Sequence, residues 1–324
     1  MREFAYHRAR DVADAVGQSG PDTMYLGGGT NLVDLMRLGV ATPERLVDVS
    51  RLPHDEVTET GDGGVRIGAA VRNADLAVHP LIAERYPVLA QALLAGASGQ
   101  VRTMATVAGN LLQHTRCTYF QDTTMPCNKR QPGSGCPAIE GDHANLAILG
   151  HSTQCVATHP SDMAVALTAL GAQVHVTGSS GSRVIGMPGL HRLPGDDPSR
   201  DTVLTAGELI TAVTLPAPPA GRATYRKVRE RASFAFALVS VAALLDVSPG
   251  GAVRGCALAL GGVAHVPWRA VMAERTLAGA QATRDSFAAA ADAELRGAAP
   301  LARNVYKVAL ARNLIIATLE ELMP

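Results

Sequence analysis

"TMYLGGGTNLVDLMRLG" (residues 23–39) predicts a short strand, a turn of three glycines and then a helix. We expect the strand to end at Leu26 and the helix to open near Thr30, with Leu32 and Met36 on one face. Because glycine accepts positive φ and has no side chain, successive backbone N–H groups of such a turn can converge on an anion near the helix N-terminus. The turn is therefore either a phosphate site or an ordinary strand-to-helix connection.

Neither common nucleotide-binding fingerprint fits this turn. With Gly27 and Gly29 in the first two positions of the dinucleotide pattern, the third glycine falls on Leu32, and the Gly-Lys-Ser/Thr of a P-loop is absent. Two later turns, "ATVAGNLLQ" (105–113) and "THPSDMA" (158–164), have similar chemistry. Each alone is equally explained as a β-turn or a helix cap. Together the three turns predict a long, diphosphate-bearing ligand that is held at several points.

The composition argues against several classes of function. Lys plus Arg and Asp plus Glu are balanced at 29 each, and aromatic residues make up 4% of the 324 residues. The chain therefore has neither the global charge nor the stacking side chains of a nucleic-acid-binding protein. It has no apolar stretch long enough to cross a membrane, and its charged N-terminus predicts no signal peptide of its own.

The order of predicted elements divides the chain into two parts. Strands and helices alternate in the first half. From about Asp201, "ELITAVTLP", "ATYRKVRE", "FAFALVSVAALLDV" and "RGCALALGGV" predict consecutive strands of an antiparallel meander, with amphipathic helices after Trp268. Strands followed by helices indicate a separate α+β domain. The best linker candidate is "LPAPPAGR" (215–222).

Four motifs carry a resemblance to a known family over nearly the whole chain. "YLGGGTNLVDLM", "GQVRTMATVAGNLLQ", "HPSDMAVAL" and "GELITAVTLP" followed by "YRKVRERASFAFALVSVA" resemble, in order and spacing, the FAD-binding medium subunits of the molybdenum hydroxylases. The resemblance implies an α+β fold. Its first domain, residues 1–215, is expected to be a flavin domain of the vanillyl-alcohol oxidase or para-cresol methylhydroxylase (PCMH) type in two α/β parts. Its second, residues 222–324, is expected to be an antiparallel sheet with helices, like the C-terminal domain of CO dehydrogenase flavoprotein.

The same resemblance implies which residues bind FAD. The backbone of the glycine turn would receive the pyrophosphate, the second turn would supply further phosphate contacts, and Asp162 would accept hydrogen bonds from ribose hydroxyls. Ile210 would pack near the rings, and Lys227 would lie near the flavin or its ribityl chain, where a cation stabilises the anionic reduced flavin. The full expected set is Leu26, Gly27, Gly28, Gly29, Thr30, Asn31, Leu32, Thr106, Gly109, Asn110, Ser161, Asp162, Ile210 and Lys227.

Four of the five cysteines are grouped at Cys117, Cys127, Cys136 and Cys155. Structural zinc usually needs a C-x2-4-C pair, which is absent, although His114 and His143 keep zinc open. Disulfides would need an oxidising compartment. Four thiolates on a Gly/Pro-rich loop can instead converge on a 4Fe-4S cluster, which imposes no single spacing.

Several neighbouring groups could tune such a cluster. Lys129, Arg130 and Arg116 would offset its negative charge, and the N–H groups around Gly133 and Gly135 could bond its sulfurs. The fifth cysteine, in the apolar segment "RGCALALGG", is predicted to be a core residue.

The segment 116–138 and the later "CVATHPSD" resemble an insertion in the medium subunits of heterotrimeric aldehyde oxidoreductases of the periplasmic type, which carry an additional 4Fe-4S cluster. We expect an iron-sulfur loop at about 114–156. The medium subunits of 4-hydroxybenzoyl-CoA reductase and xanthine dehydrogenase are the alternatives.

The resemblance implies an electron-transfer subunit with no catalytic acid or base of its own, inactive on aldehydes alone. A large partner would hold the molybdenum cofactor, and a small partner with two 2Fe-2S clusters would pass electrons to FAD and on to an external acceptor. A self-sufficient flavin oxidase and a zinc-stabilised binding module are the competing classes. The compartment is expected to be the cytoplasm, or the periplasm by export together with a partner.

Overall fold

A computed structural model describes residues 1–323. The glycine turn belongs to a small parallel sheet with the strand order β1-β3-β2. Its elements are β1 (Ala5–Arg8), α1 (Val12–Gly17), β2 (Thr23–Leu26), α2 (Leu32–Leu38) and β3 (Arg45–Asp48). The predicted end of the strand at Leu26 is confirmed, and the helix begins at Leu32, slightly later than predicted, after Asn31 as its N-cap.

A second sheet of five antiparallel strands and a group of short helices complete the N-terminal part. The strands are β4 (Val57–Glu59), β5 (Val65–Gly68), β6 (Gln173–Gly178), β7 (Gly181–Gly186) and β8 (Leu209–Leu215). The helices are α3 (Asn73–Val78), α4 (Pro80–Arg85), α5 (Pro87–Ala95), α6 (Gly99–Met104), α7 (Val107–Leu111), α8 (Thr118–Gln121) and α9 (Asp162–Ala169), with a 3-10 turn at Pro137–Ile139. The two α/β parts predicted for this region correspond to these two sheets and their helices.

The position of β8 differs from the prediction. The sequence pattern grouped this strand with the later meander, but β8 lies at the centre of the second sheet, between β5 and β6. Six of its seven residues are buried, so both faces of this central strand are covered. Its closeness in sequence to the later strands concealed this pairing.

The C-terminal part is an antiparallel sheet covered by helices, as predicted. The strand order is β12-β11-β10-β9. The elements are β9 (Arg222–Val228), β10 (Val239–Val247), β11 (Val253–Gly261), β12 (Trp268–Arg269), α10 (Val271–Leu277), α11 (Arg284–Leu295) and α12 (Tyr306–Glu321). The segment between β8 and β9 connects two different sheets, and we propose it as the domain boundary. No helix within residues 1–323 is long and apolar enough to cross a membrane.

Helix α9 lies between the two parts of the chain and is buried from end to end. It contacts α5 on one side and strands β10 and β11 on the other. Close packing is visible at Gly261, where a Cβ would lie 2.7 Å from a methyl carbon of Val165. The first residues of α9 are thereby held rigidly between the two parts.

A buried lysine also ties the two parts together. The Nζ of Lys307, in α12, donates hydrogen bonds to the carbonyl oxygens of Asn145 (3.2 Å), Leu146 (2.9 Å) and Gly262. Its side chain is fully buried, and this burial lowers its pKa to about 7. The amine therefore loses its proton more easily in the folded chain than in the unfolded chain.

We expect Lys307 to make the free energy of unfolding rise between about pH 7 and about pH 8.5. In this range the unfolded chain, where the ordinary lysine pKa is 10.5, keeps the proton that the folded chain releases. The limiting slope is about 1.4 kcal/mol per pH unit. At higher pH the buried thiols, whose pKa is raised, oppose the trend. Chemical denaturation should show a flatter pH profile for Lys307→Met, and identical slopes would contradict this assignment.

Candidate functional site

The glycine turn is pressed against a second backbone segment. A Cβ on Gly28 would lie 1.8 Å from the carbonyl oxygen of Met104, so only glycine fits there. Gly29 has a φ of +74°, and a Cβ on Gly27 would lie 3.0 Å from the hydroxyl of Thr106. The first two predicted phosphate-binding turns are therefore in direct contact.

Two cavities adjoin the glycine turn. The larger, here named the large cleft, has a volume of about 720 Å³ and opens to solvent. The other, named the glycine cavity, has a volume of about 300 Å³ and is lined by the turn itself. Thr30, Asn31 and Gly109 line both, so the two cavities are direct neighbours.

Most of the predicted FAD-binding residues line one of these cavities. Those in the large cleft are Thr30, Asn31, Gly109, Asn110, Ser161 and Asp162. Those in the glycine cavity are Gly27, Gly28, Gly29, Thr30, Asn31, Leu32, Thr106, Gly109 and Ile210. Leu26 and Lys227 line neither cavity.

The second and third turns are helix caps. Thr106 caps α7, where its hydroxyl accepts the N–H of Gly109 at 3.2 Å, and Ser161 caps α9. The side-chain oxygen of Asn110 accepts hydrogen bonds from Ser161 (2.5 Å) and Gln113 (2.9 Å). The sequence left open that these two turns are helix caps, and the structure shows that they are. The caps also fix the side chains that face the cavities. A cap and a ligand site are compatible at a helix N-terminus.

Asp162 and Lys227, predicted as separate contacts of the flavin, form a buried ion pair. The Nζ of Lys227 is 2.8 Å from one carboxylate oxygen of Asp162, and the two side chains are 3% and 8% exposed. Tyr225 donates its hydroxyl hydrogen to the other oxygen, and burial raises the pKa of Tyr225 well above its usual value. Lys227 itself does not line the large cleft, but it contacts Asp162, which does.

Replacing Lys227 by Met is expected to lower the free energy of unfolding by about 3–5 kcal/mol, because it leaves the carboxylate of Asp162 buried without a cation. Chemical denaturation measures the change, and the double variant D162N/K227M should recover part of it. Arg226→Met is the matched control, since Arg226 pairs with Glu321 at 3.5 Å on the exposed face of the same strand. Equal effects of K227M and R226M would contradict the prediction.

The four clustered cysteines line one small cavity, named here the cysteine cavity. Cys117 and Cys155 are buried, Cys127 and Cys136 are half-buried, and all four are free thiols. No group of three or more His, Cys, Asp or Glu within residues 1–323 is arranged to hold a metal ion. The four thiols therefore lie near one another around this cavity, and their role as ligands of a cluster stays a prediction.

Backbone N–H groups surround the thiols. Burial raises the pKa of Cys117 and Cys136, and raises that of Cys155 to about 12. Hydrogen bonds to the sulfurs act in the opposite direction, from the N–H groups of Phe120, Tyr119, Val156, Ala138, Ile139 and Ala157. The donors expected near Gly133 and Gly135 are not among these groups, and the N–H of Gly135 instead donates to the side chain of Asn128 at 2.7 Å.

Of the three basic side chains predicted beside the thiols, Lys129 lines the cysteine cavity and lowers the pKa of Cys155 by its charge. Arg130 turns away and donates to backbone carbonyl oxygens of its own loop, that of Asp122 at 2.9 Å among them. Arg116 lines the large cleft, where its guanidinium carbon lies 5.0 Å from the ring centre of Phe236. These arginines have other partners, which the sequence did not reveal.

The structure does not support the zinc alternative. Both ring nitrogens of His143 have backbone partners, and His114 pairs with Asp201 at 2.7 Å. Neither histidine lines the cysteine cavity. The fifth cysteine, Cys256, lies in β11 and packs against the C-terminal core, as predicted.

Sequence reasoning missed two partner residues. Tyr225 lies two positions before Lys227 on β9, and the strand period of two places both side chains on the face that meets Asp162. The spacing of two residues could therefore have indicated Tyr225 from the sequence. No local pattern could have indicated Asp201, because its partners His114 and Lys129 lie far away in sequence.

Comparisons with known proteins agree with this arrangement. The sequence profile described as "FAD binding domain in molybdopterin dehydrogenase" matches residues 2–218, and that of the "CO dehydrogenase flavoprotein C-terminal domain" matches residues 223–322. The chain is 50% identical to the aldehyde oxidoreductase FAD-binding subunit PaoB of Escherichia coli (strain K12), over 99% of this chain and 98% of that one.

More distant relatives share the whole architecture. The glyceraldehyde dehydrogenase medium chain of Sulfolobus acidocaldarius is 27% identical over 87% of this chain and 84% of its own. A solved carbon monoxide dehydrogenase of Hydrogenophaga pseudoflava superposes with a TM-score of 0.77 at 27% identity, covering 99% of this chain and 97% of that one.

Proposed function

Because the chain belongs to the FAD-binding medium subunits of the molybdenum hydroxylases, we propose that it is the FAD- and 4Fe-4S-containing electron-transfer subunit of a molybdenum-dependent aldehyde oxidoreductase. The observation that carries the choice of aldehyde is the full-length similarity to the aldehyde oxidoreductase subunit, at half of all positions. The matched profiles and the two neighbouring cavities support FAD as its cofactor.

The glycine turn supports FAD binding through its close packing. Because position 28 has no side chain, the turn can pack against the backbone of Met104 and bring the first two turns together beside the glycine cavity. We assign the pyrophosphate to the N–H groups of Gly27, Gly28, Gly29, Thr30 and Asn31, with Thr106, Gly109 and Asn110 beside them. FAD supplies a redox centre that takes up electrons and delivers them to an external acceptor.

The pair of Asp162 and Lys227 has a positioning role in this proposal. Asp162 faces the large cleft with both oxygens already bonded, to Tyr225 and to Lys227. Its remaining lone pairs can accept ribose or ribityl hydroxyls. Lys227 keeps this carboxylate charged and fixed, and its positive charge lies one side chain away from the cleft.

We assign the iron-sulfur cluster to the cysteine cavity. Four free thiols line this cavity, and Lys129 beside them supplies a positive charge that would offset the charge of thiolate ligands. A 4Fe-4S cluster binds each cysteine through a different iron, so its ligands lie farther apart than those of one ion. Cys117, Cys127, Cys136 and Cys155 would be the ligands.

Partner subunits complete the proposed activity. A large subunit with the molybdenum cofactor would oxidise the aldehyde, and a small subunit with 2Fe-2S clusters would relay the electrons to this chain. No proton-transferring side chain of this chain is needed, because it passes electrons and does not act on the aldehyde.

The experiment is expression of the chain alone and together with the large and small subunits that the proposal requires. The proposal expects the chain alone to bind FAD and to leave aldehydes unchanged, and the assembled complex to oxidise an aromatic or aliphatic aldehyde with an artificial acceptor. Oxidation of a small substrate by the isolated chain would instead identify a self-sufficient flavin oxidase. A complex that acts on xanthine or on an aromatic acyl-CoA, but on no aldehyde, would overturn the choice of substrate.

A further inference from the structure

Asp201 is a half-buried acidic residue that contacts His114 on the flavin side and Lys129 on the side of the cysteine cavity. One carboxylate oxygen lies 2.7 Å from Nδ1 of His114. The other accepts a hydrogen bond from the Nζ of Lys129 and lies 3.3 Å from Nε2 of His265. The side chain of Lys129 is only 2% exposed, and Asp201 is the carboxylate with which it pairs.

On the flavin side, the contacts continue to the glycine turn. His114 lines the glycine cavity, and its backbone N–H donates to the side-chain oxygen of Asn31 at 3.0 Å. Asn31 is the N-cap of α2, but its side chain makes no capping hydrogen bond there. Its orientation is therefore set by His114, whose ring is in turn held by Asp201.

On the other side, the contacts continue into the cysteine loop. Lys129 lines the cysteine cavity and also donates to the carbonyl oxygen of Pro198 at 2.8 Å. The preceding residue, Asn128, accepts the N–H of Gly135 at 2.7 Å and donates to the carbonyl oxygen of Gln154 at 3.0 Å. The contacts of Asn128 thus stabilise the loop internally, and Lys129 connects the loop to Asp201.

We propose that Asp201 is a positioning residue that couples the glycine turn to the cysteine loop, so that flavin affinity and order of the cysteine loop depend on each other. The inference rests on the proposed FAD binding. Neutralising Asp201 leaves the buried ammonium of Lys129 unpaired and releases the ring of His114. Because coupling between two sites is reciprocal, FAD bound at the turn must also stabilise the loop.

The first test uses a residue outside the flavin site. Lys129 lines neither the large cleft nor the glycine cavity. We expect Lys129→Met in the full chain to weaken FAD binding about tenfold, which corresponds to a typical coupling between linked sites. Flavin fluorescence quenching gives the dissociation constant.

Arg254→Met is the control. Arg254 pairs with Asp246 at 2.6 Å and lines none of the large cleft, the glycine cavity and the cysteine cavity, so its loss should leave the affinity unchanged. Asp201→Asn should match Lys129→Met, the double variant should be no worse than the weaker-binding single variant, and Asp201→Glu should restore part of the affinity. Wild-type affinity in K129M would overturn the proposal.

The second test needs no variant. Hydrogen–deuterium exchange of residues 127–136 is measured in the wild-type chain with and without FAD, and we expect severalfold slower exchange with FAD. In K129M the protection by FAD should remain at residues 27–31 and disappear at 127–136. Loop exchange that is identical with and without FAD overturns the coupling. Failure of the wild-type chain to bind FAD at all would instead overturn the proposed function.

Discussion

Gly28→Ala is expected to abolish FAD binding. The added Cβ would lie 1.8 Å from the carbonyl oxygen of Met104 and 2.7 Å from its carbonyl carbon, and both contacts are with backbone that no side-chain rotation relieves. The turn must therefore move away from the Met104–Ala105 segment, at a cost of about 1–3 kcal/mol. Losing two charge-assisted hydrogen bonds of about 1.5–3 kcal/mol each weakens FAD binding at least about a hundredfold.

Flavin content after purification and the FAD dissociation constant measure this effect. Gly99→Ala is the matched control, since a Cβ there has no neighbour within 4 Å and the backbone is helical. It should keep wild-type flavin content. A Gly28→Ala chain that binds FAD as tightly as Gly99→Ala would show that the turn does not hold the cofactor.

Cys127→Ser is expected to remove the iron from the chain. Anaerobically purified wild-type protein should contain about four irons per chain, and a cubane that loses one of its four thiolates should lose nearly all of them. Cys127 is half-buried at the cysteine cavity, so the substitution itself leaves no large void in the core. Iron analysis and the broad iron-sulfur absorption report the loss.

Cys256→Ser provides the control for general thiol chemistry. Cys256 lies in β11, away from the cysteine cavity, and should have no effect on the iron content. Wild-type protein that contains stoichiometric zinc and no iron would overturn the assignment of a cluster. So would a Cys127→Ser chain that retains its full iron content.

Local signals in the sequence were sufficient for the site's main parts. The strand-glycine-helix pattern located the turn, because Leu26 ends a strand and Leu32 opens a helix as the residue types require. The density of cysteines located the cysteine cavity, since four thiols on one irregular segment have few other uses. The antiparallel C-terminal strands β9, β10 and β11 followed from their turns and lengths.

Contacts between distant segments could not be predicted in this way. The central position of β8 depends on pairing with β5 and β6, which come much earlier in the chain. The pairing of Asp162 with Lys227, and that of Lys129 with Asp201, each joins segments from different parts of the fold. Such pairs are decided by tertiary packing. The resemblance that implied a flavin contact for Lys227, and the residue type that placed Lys129 beside a cluster, therefore gave no sign of their carboxylate partners.

The most direct test of the central claim is anaerobic addition of an aldehyde to the assembled complex while flavin absorption is followed. The account predicts that the flavin band at about 450 nm bleaches on aldehyde addition and returns when an acceptor is added. A complex that contains Gly28→Ala should show no flavin band. Full aldehyde oxidation by a complex whose flavin stays oxidised throughout turnover would contradict the claim that this chain carries the electrons.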